Sequence, residues 1–70
     1  MINVRIEKGQ DWQSASQNAL KEAEDALSGG KGRVVLRASG TEPVVRVMVE
    51  AQQIAWAEKY AQIIAQAIQG

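Results

Sequence analysis

Apolar and polar side chains alternate over Ile2-Asn3-Val4-Arg5-Ile6, the period-two pattern of a half-buried strand. Ile2, Val4 and Ile6 share one face, and Asn3, Arg5 and Glu7 share the other. Lys8-Gly9-Gln10-Asp11 breaks the pattern. From Trp12 to Leu27 the spacing is helical, with Trp12, Ala15, Ala19, Leu20, Ala23, Ala26 and Leu27 on one broad stripe. Two starts compete: Asp11 as an N-cap, or Ser14 with Gln17 as a capping box. Ser28-Gly29-Gly30 ends the helix with glycine just past the last periodic residue. Arg33 to Arg37 reads as a short strand and Val44 to Glu50 as a stronger one, joined by the six residues Ala38 to Pro43. Pro43 sits at a strand start, where its missing N–H costs no ladder bond. Gln52 to Gln69 closes the chain as a helix whose inner face carries Ile54, Ala57, Ala61, Ile64, Ala65 and Ile68.

This β-α-β-β-α order predicts an α+β two-layer sandwich, a small antiparallel sheet with both helices on one face. The second and third strands form a hairpin and the first lies beside the third. Alternation assigns Ile2, Val4, Ile6, Val34, Leu36, Val45, Val47 and Val49 to the covered face. The open face then carries Asn3, Arg5, Arg33, Val35, Arg37, Val44, Arg46, Met48 and Glu50. Arg37 and Arg46 flank the hairpin loop on the same side of the sheet. On the last helix Trp56 and Ile63 lie at about −140° and −160° from Ala61 at ~100° per residue, with Ala67 near them and Tyr60 at the boundary, a second apolar stripe. It reads either as a partner surface, which predicts weak self-association, or as scattered surface hydrophobics.

Composition narrows the function. Seventy residues make one small domain, residues 1–70, close to the lower size limit for a fold without staples. No cysteine means no disulfide scaffold and no thiolate chemistry; no histidine removes the commonest general base and zinc ligand. Eight basic and eight acidic side chains balance to zero, which argues against nucleic acid as a partner. No apolar run is long enough to span a membrane and no leader pattern opens the chain, so the expectation is a cytoplasmic protein. With two Trp, one Tyr and no Phe, the core must be aliphatic and thin.

The connection between the hairpin strands is the chemical feature. Arginine offers a planar fork that meets a phosphate in bidentate fashion, and Arg37 and Arg46 stand at either end. Ser39 and Thr41 add hydroxyls, and Gly40 permits a positive φ and close approach of backbone N–H groups. Glu42, wrong in charge for an anion site, fits an orienting role by pairing with an arginine or framing the loop. Ser39 as a nucleophile lacks any neighbouring base or metal cluster to activate it. Arg5 and Arg33 read as solvated or interdomain charges. On these grounds the stretch reads equally as an anion cradle or as an ordinary turn with solubilising arginines.

The string Arg37-Ala38-Ser39-Gly40-Thr41-Glu42-Pro43-Val44-Val45-Arg46-Val47 resembles the R-x-S-G-T-E-P-x-x-R-V signature of the C-terminal domain of the alpha-D-phosphohexomutase superfamily. Gly32 to Leu36, Val47 to Glu50 and the opening Asn3-Val4-Arg5 most resemble its bacterial phosphoglucosamine mutase branch. The resemblance implies a TATA-binding-protein-like sandwich and an enzyme in which Mg²⁺ and a phosphoserine interconvert sugar 6- and 1-phosphates. It implies that Arg37, Ser39, Gly40, Thr41 and Arg46 grip the substrate phosphate not being transferred, with Glu42 in the loop frame. The T-A-S-H-N-P and D-G-D type motifs of catalysis and metal binding do not occur, and Asp11 and Asp25 stand isolated. The expectation is an inactive piece of a longer mutase, with Met1 an added start. It would hold no catalytic residue, metal or cofactor of its own, and would partner the phosphosugar and the parent's other domains. A phosphomannomutase or phosphoglucomutase parent, or a stand-alone phosphate-binding module, fits the same loop.

Overall fold

A computed structural model describes residues 2–7 and 9–69. Met1, read as an added start, and Lys8, the first residue of the expected break, lie outside them. Five elements follow in order: β1 (Ile2–Arg5), α1 (Trp12–Ala26), β2 (Gly32–Ala38), β3 (Val44–Ala51) and α2 (Ile54–Gln69). β3 is the central strand of an antiparallel sheet ordered β1-β3-β2, so β1 and β2 run parallel on either side of it. Both helices cover one face, as the two apolar stripes require. The core joins Val4, Val45 and Val47 of the sheet to Ala19 and Ala23 of α1 and Ala61, Ile64, Ala65 and Ile68 of α2.

The helix starts and stripes refine the sequence reading. Asp11 is the cap that is used: its carboxylate accepts from the Ser14 amide at 3.2 Å, which leaves Ser14 inside α1 and the Ser14–Gln17 capping box unformed. Gly29 and Gly30 take φ +72° and +81°, the left-handed turn that glycine allows after the helix. Ala15, placed on the inner stripe by spacing, is exposed; Ser16 is buried in its stead, at 1% exposure. Its hydroxyl donates to the Trp12 carbonyl at 2.7 Å, so a polar residue can sit there without an unpaired group. The seam Ser16-Ala19-Ala23 is therefore made of small residues, which lets α2 come close.

Ile54 is a second departure. Spacing puts it on the inner face of α2, yet it is 77% exposed. It is the first helical residue, and Cβ atoms tilt towards a helix N-terminus, so its side chain projects beyond the sheet. The apparent second stripe has a packing explanation. Tyr60, Ile63 and Ala67 pack against the core, and Trp56 borders a hollow with Ala26, Leu27 and Lys31 where α1 ends. α2 faces both the sheet and α1, so its apolar arc is wider than a single-partner stripe.

Candidate functional site

The hairpin loop is shorter than its sequence pattern suggests. Ala38 still belongs to β2, paired with Val45, and the Ser39 amide donates to the Val44 carbonyl at 2.8 Å, leaving residues 39–43 as the connection. Three local bonds shape it. The Ser39 hydroxyl oxygen accepts from the amides of Thr41 at 3.4 Å and Glu42 at 3.3 Å. The Val44 amide donates to the Glu42 carbonyl at 2.8 Å, a three-residue turn centred on Pro43, whose fixed φ suits the inverse γ form. Finally, the Ile6 amide donates to the Pro43 carbonyl at 2.8 Å, tying the exit of β1 to the end of the loop.

Two neighbouring backbone N–H groups thus converge on one oxygen atom, the arrangement from which anion-binding concavities are built. Ser39 is half-buried at the base of this turn, and its hydroxyl hydrogen is left to donate outwards. Gly40, Thr41, Glu42 and Pro43 are exposed. Gly40 corrects one expectation. Its φ is not positive, and a Cβ added there would meet nothing within 4 Å. Glycine is not needed for backbone strain in this conformation; it leaves open space above the turn. Glu42 corrects another, since it forms no ion pair with either flanking arginine. Its contribution to the frame is through its backbone N–H and C=O.

Register decides where the arginines stand. Arg37 and Arg46 are direct cross-strand partners on the open face, and Asn3 of β1 faces Arg46 from the other side. Direct partners on one face have Cβ atoms ~4.5–5.5 Å apart, where like charges repel. The one ion pair among the described residues lies elsewhere on this face: Arg33 Nε and Nη2 donate to Glu50 at 2.9 and 3.3 Å. Two exposed guanidinium groups are thus held together beside inward-turned amides, with no carboxylate between them. Such a set can bind a compact dianion from solvent. It has no nucleophile activated by a base. Among the described residues no three His, Cys, Asp or Glu side chains meet to hold a metal.

Residues 1–67 match the family model described as phosphoglucomutase/phosphomannomutase, C-terminal domain. The chain belongs to this family. It is 70% identical over 70 residues to a phosphoglucosamine mutase of Neisseria subflava, covering 100% of this chain and 16% of that protein. It is 69% identical, with the same coverage, to the phosphoglucosamine mutase of Neisseria meningitidis serogroup B. The phosphoglucosamine mutase of Ralstonia nicotianae is 61% identical over 71 residues, 99% of this chain and 16% of the relative. The chain therefore spans about one-sixth of the length of these curated relatives. No helix of the described residues is long and apolar enough to cross a membrane.

Away from the loop, two carboxylates are tuned by geometry. The Glu50 carboxyl lies below its ordinary 4.5 because Arg33 hydrogen-bonds to it and attracts it. The Asp11 carboxyl lies below its ordinary 3.8 because the Ser14 hydrogen bonds favour the charged cap. A carboxyl depressed in the folded state stabilises above its unfolded pKa, and that share is lost as pH falls through the lowered value. The melting temperature is therefore expected to drop below about pH 4.5. In calorimetry against pH, Glu50→Gln should flatten part of that drop and Asp11→Asn should keep the cap while removing another part.

Proposed function

We propose that the 37–46 hairpin grips the phosphate group of a phosphosugar, within a phosphoglucosamine mutase that interconverts glucosamine 6-phosphate and glucosamine 1-phosphate. The observation that carries this reading is the direct opposition of Arg37 and Arg46 beside the convergent amides of Thr41 and Glu42. A phosphate monoester carries nearly two negative charges near neutral pH and offers acceptor oxygens in several directions. Two guanidinium forks and the hydroxyls of Ser39 and Thr41 match that demand, and the Thr41 and Glu42 amides become further donors where a phosphate oxygen takes the place of the Ser39 oxygen. With Gly40 open above the turn and Glu42 framing it, the site residues are Arg37, Ser39, Gly40, Thr41, Glu42 and Arg46.

In this reading residues 1–70 act as one unit that holds the phosphate not being transferred. The remaining domains of the parent close over the sugar. The Mg²⁺ and phosphoserine implied by the resemblance would belong to those domains. The composition fits a cytoplasmic enzyme. A phosphomannomutase or phosphoglucomutase parent is the second reading, favoured by the breadth of the matching family model. The loop touches phosphate and not the sugar's 2-substituent, so both readings use it identically. Assaying the full-length parent on glucosamine, mannose and glucose phosphates separates them: a clear preference for the amino sugar supports the first, and a preference for mannose or glucose phosphate overturns it.

A further inference from the structure

We propose that Arg5 is a third anion-contacting side chain of this site, so that the grip spans all three strands and is not confined to the hairpin. The proposal rests on the phosphate reading and deepens it. Its basis is register, which the sequence alone does not reveal. Arg5 pairs with Val44 and Asn3 with Arg46 across β1 and β3, while Arg37 pairs with Arg46 across β2 and β3. Arg5, Asn3, Arg37 and Arg46 are all exposed and share the open face. Arg5 is then the diagonal neighbour of Arg46, with Cα atoms ~7–8 Å apart and long side chains within reach of each other. Strand spacing of ~4.8 Å leaves about 10 Å between β1 and β2, with Arg46 in the middle.

The chain also holds Arg5 at the correct end of the sheet. The residue after it, Ile6, donates its amide to the Pro43 carbonyl at 2.8 Å, so β1 ends against the same loop that turns the Thr41 and Glu42 amides inward. The other open-face arginine, Arg33, stands at the far end of the hairpin and is engaged by Glu50. Glu7 lines a hollow of about 580 Å³ together with Arg5, Gly9, Gln10 and Gln69, but forms no ion pair with it. Three arginines thus share one end of the face, while at its other end Arg33 is paired with Glu50. A phosphate monoester seated above β3 would meet Arg37 and Arg46 from the hairpin side and Arg5 from the β1 side. Crowding of like charge makes the empty site unfavourable and a dianion its natural counterpart.

The test is a titration of the 70-residue chain, ¹⁵N-labelled at arginine Nε, with inorganic phosphate at constant ionic strength. The Nε–H signals of Arg5, Arg37 and Arg46 should move along one saturation curve while Arg33 stays still. Arg5→Ala should raise the phosphate Kd ~3- to 5-fold, the scale of one solvent-exposed charge contact. Arg33→Ala should leave it unchanged. Movement of Arg37 and Arg46 with Arg5 static, or an unaltered Kd in Arg5→Ala, overturns the third contact and leaves the hairpin reading intact. Static signals at Arg37 and Arg46 overturn both. The wild-type titration needs no variant, so a folding defect in Arg5→Ala would not blur the outcome.

Discussion

Replacing Ile64 with alanine is expected to destabilise the chain by ~2–5 kcal/mol, the range for truncating a buried Ile or Leu. Ile64 is fully buried, in the same core as Val4, Val45 and Val47 of the sheet. Its neighbours on the same helix, Ala61 and Ala65, have no bulk with which to fill the space it leaves. Domains of this kind have ~0.05–0.15 kcal/mol of stability per residue, so about 3.5–10 kcal/mol here, and the loss is a large share of it. Urea unfolding followed by circular dichroism should show the midpoint collapse, or no folded baseline at all. Ile54→Ala is the matched control. It removes the same side chain from the same helix, but from a position 77% exposed, and should change stability by less than ~0.5 kcal/mol. Equal losses at the two positions would contradict the exposure of Ile54 and the burial of Ile64.

Arg37→Ala is expected to weaken phosphate binding by about tenfold or more, the scale of a hydrogen bond between charged groups. Arg46→Ala should act similarly. Neither should cost stability beyond ~0.5 kcal/mol, since both side chains are exposed and face each other as like charges. This separation is the signature of a site and not of a structural contact. Removing either arginine relieves repulsion in the empty fold and removes attraction for a ligand. Phosphate titration by NMR gives the first quantity and thermal melting in phosphate-free buffer the second. Unchanged phosphate affinity in both variants would return the two arginines to the role of solubilising charges beside a turn.

Most of the fold was legible because its signals are periodic. Alternation put the residues from Arg33 to Arg37 and from Val44 to Glu50 on their correct faces, and the glycine pair after α1 marked the turn. Two helical positions misled for physical reasons. Ala15 and Ser16 differ little in size, so spacing alone could not choose between them; Ser16 is inside because its hydroxyl is satisfied by the Trp12 carbonyl within its own helix. Ile54 fits the period of α2 but sits at its first residue, where it is left 77% exposed. The stripe of Ile63 and Ala67 was mistaken for a surface feature because periodicity does not say how many neighbours a helix has.

The candidate site was legible in composition and less so in geometry. The arginines, hydroxyls and glycine between positions 37 and 46 read equally as an anion cradle or as a turn by their chemistry. The direct opposition of Arg37 and Arg46 is not legible in the sequence, because it depends on Ala38 pairing with Val45 and the Ser39 amide bonding to the Val44 carbonyl. Nor did the sequence reveal that Ser39 gathers the amides of Thr41 and Glu42, or that Gly40 keeps an ordinary φ. Arg5 reads from the sequence as a solvated or interdomain charge, and its distance along the chain hides a position one strand away from Arg46. Parity put it on the open face; only register put it beside the loop.

The central claim is that the 39–43 turn and its two flanking arginines hold the phosphate of a sugar phosphate. The most direct test is a backbone amide titration of the chain with glucosamine 6-phosphate, repeated on Arg37→Ala. Saturable, millimolar shifts are expected, largest at the Thr41 and Glu42 amides and lost in the variant. Shifts that are absent from that turn, or that persist unchanged in Arg37→Ala, would contradict that claim.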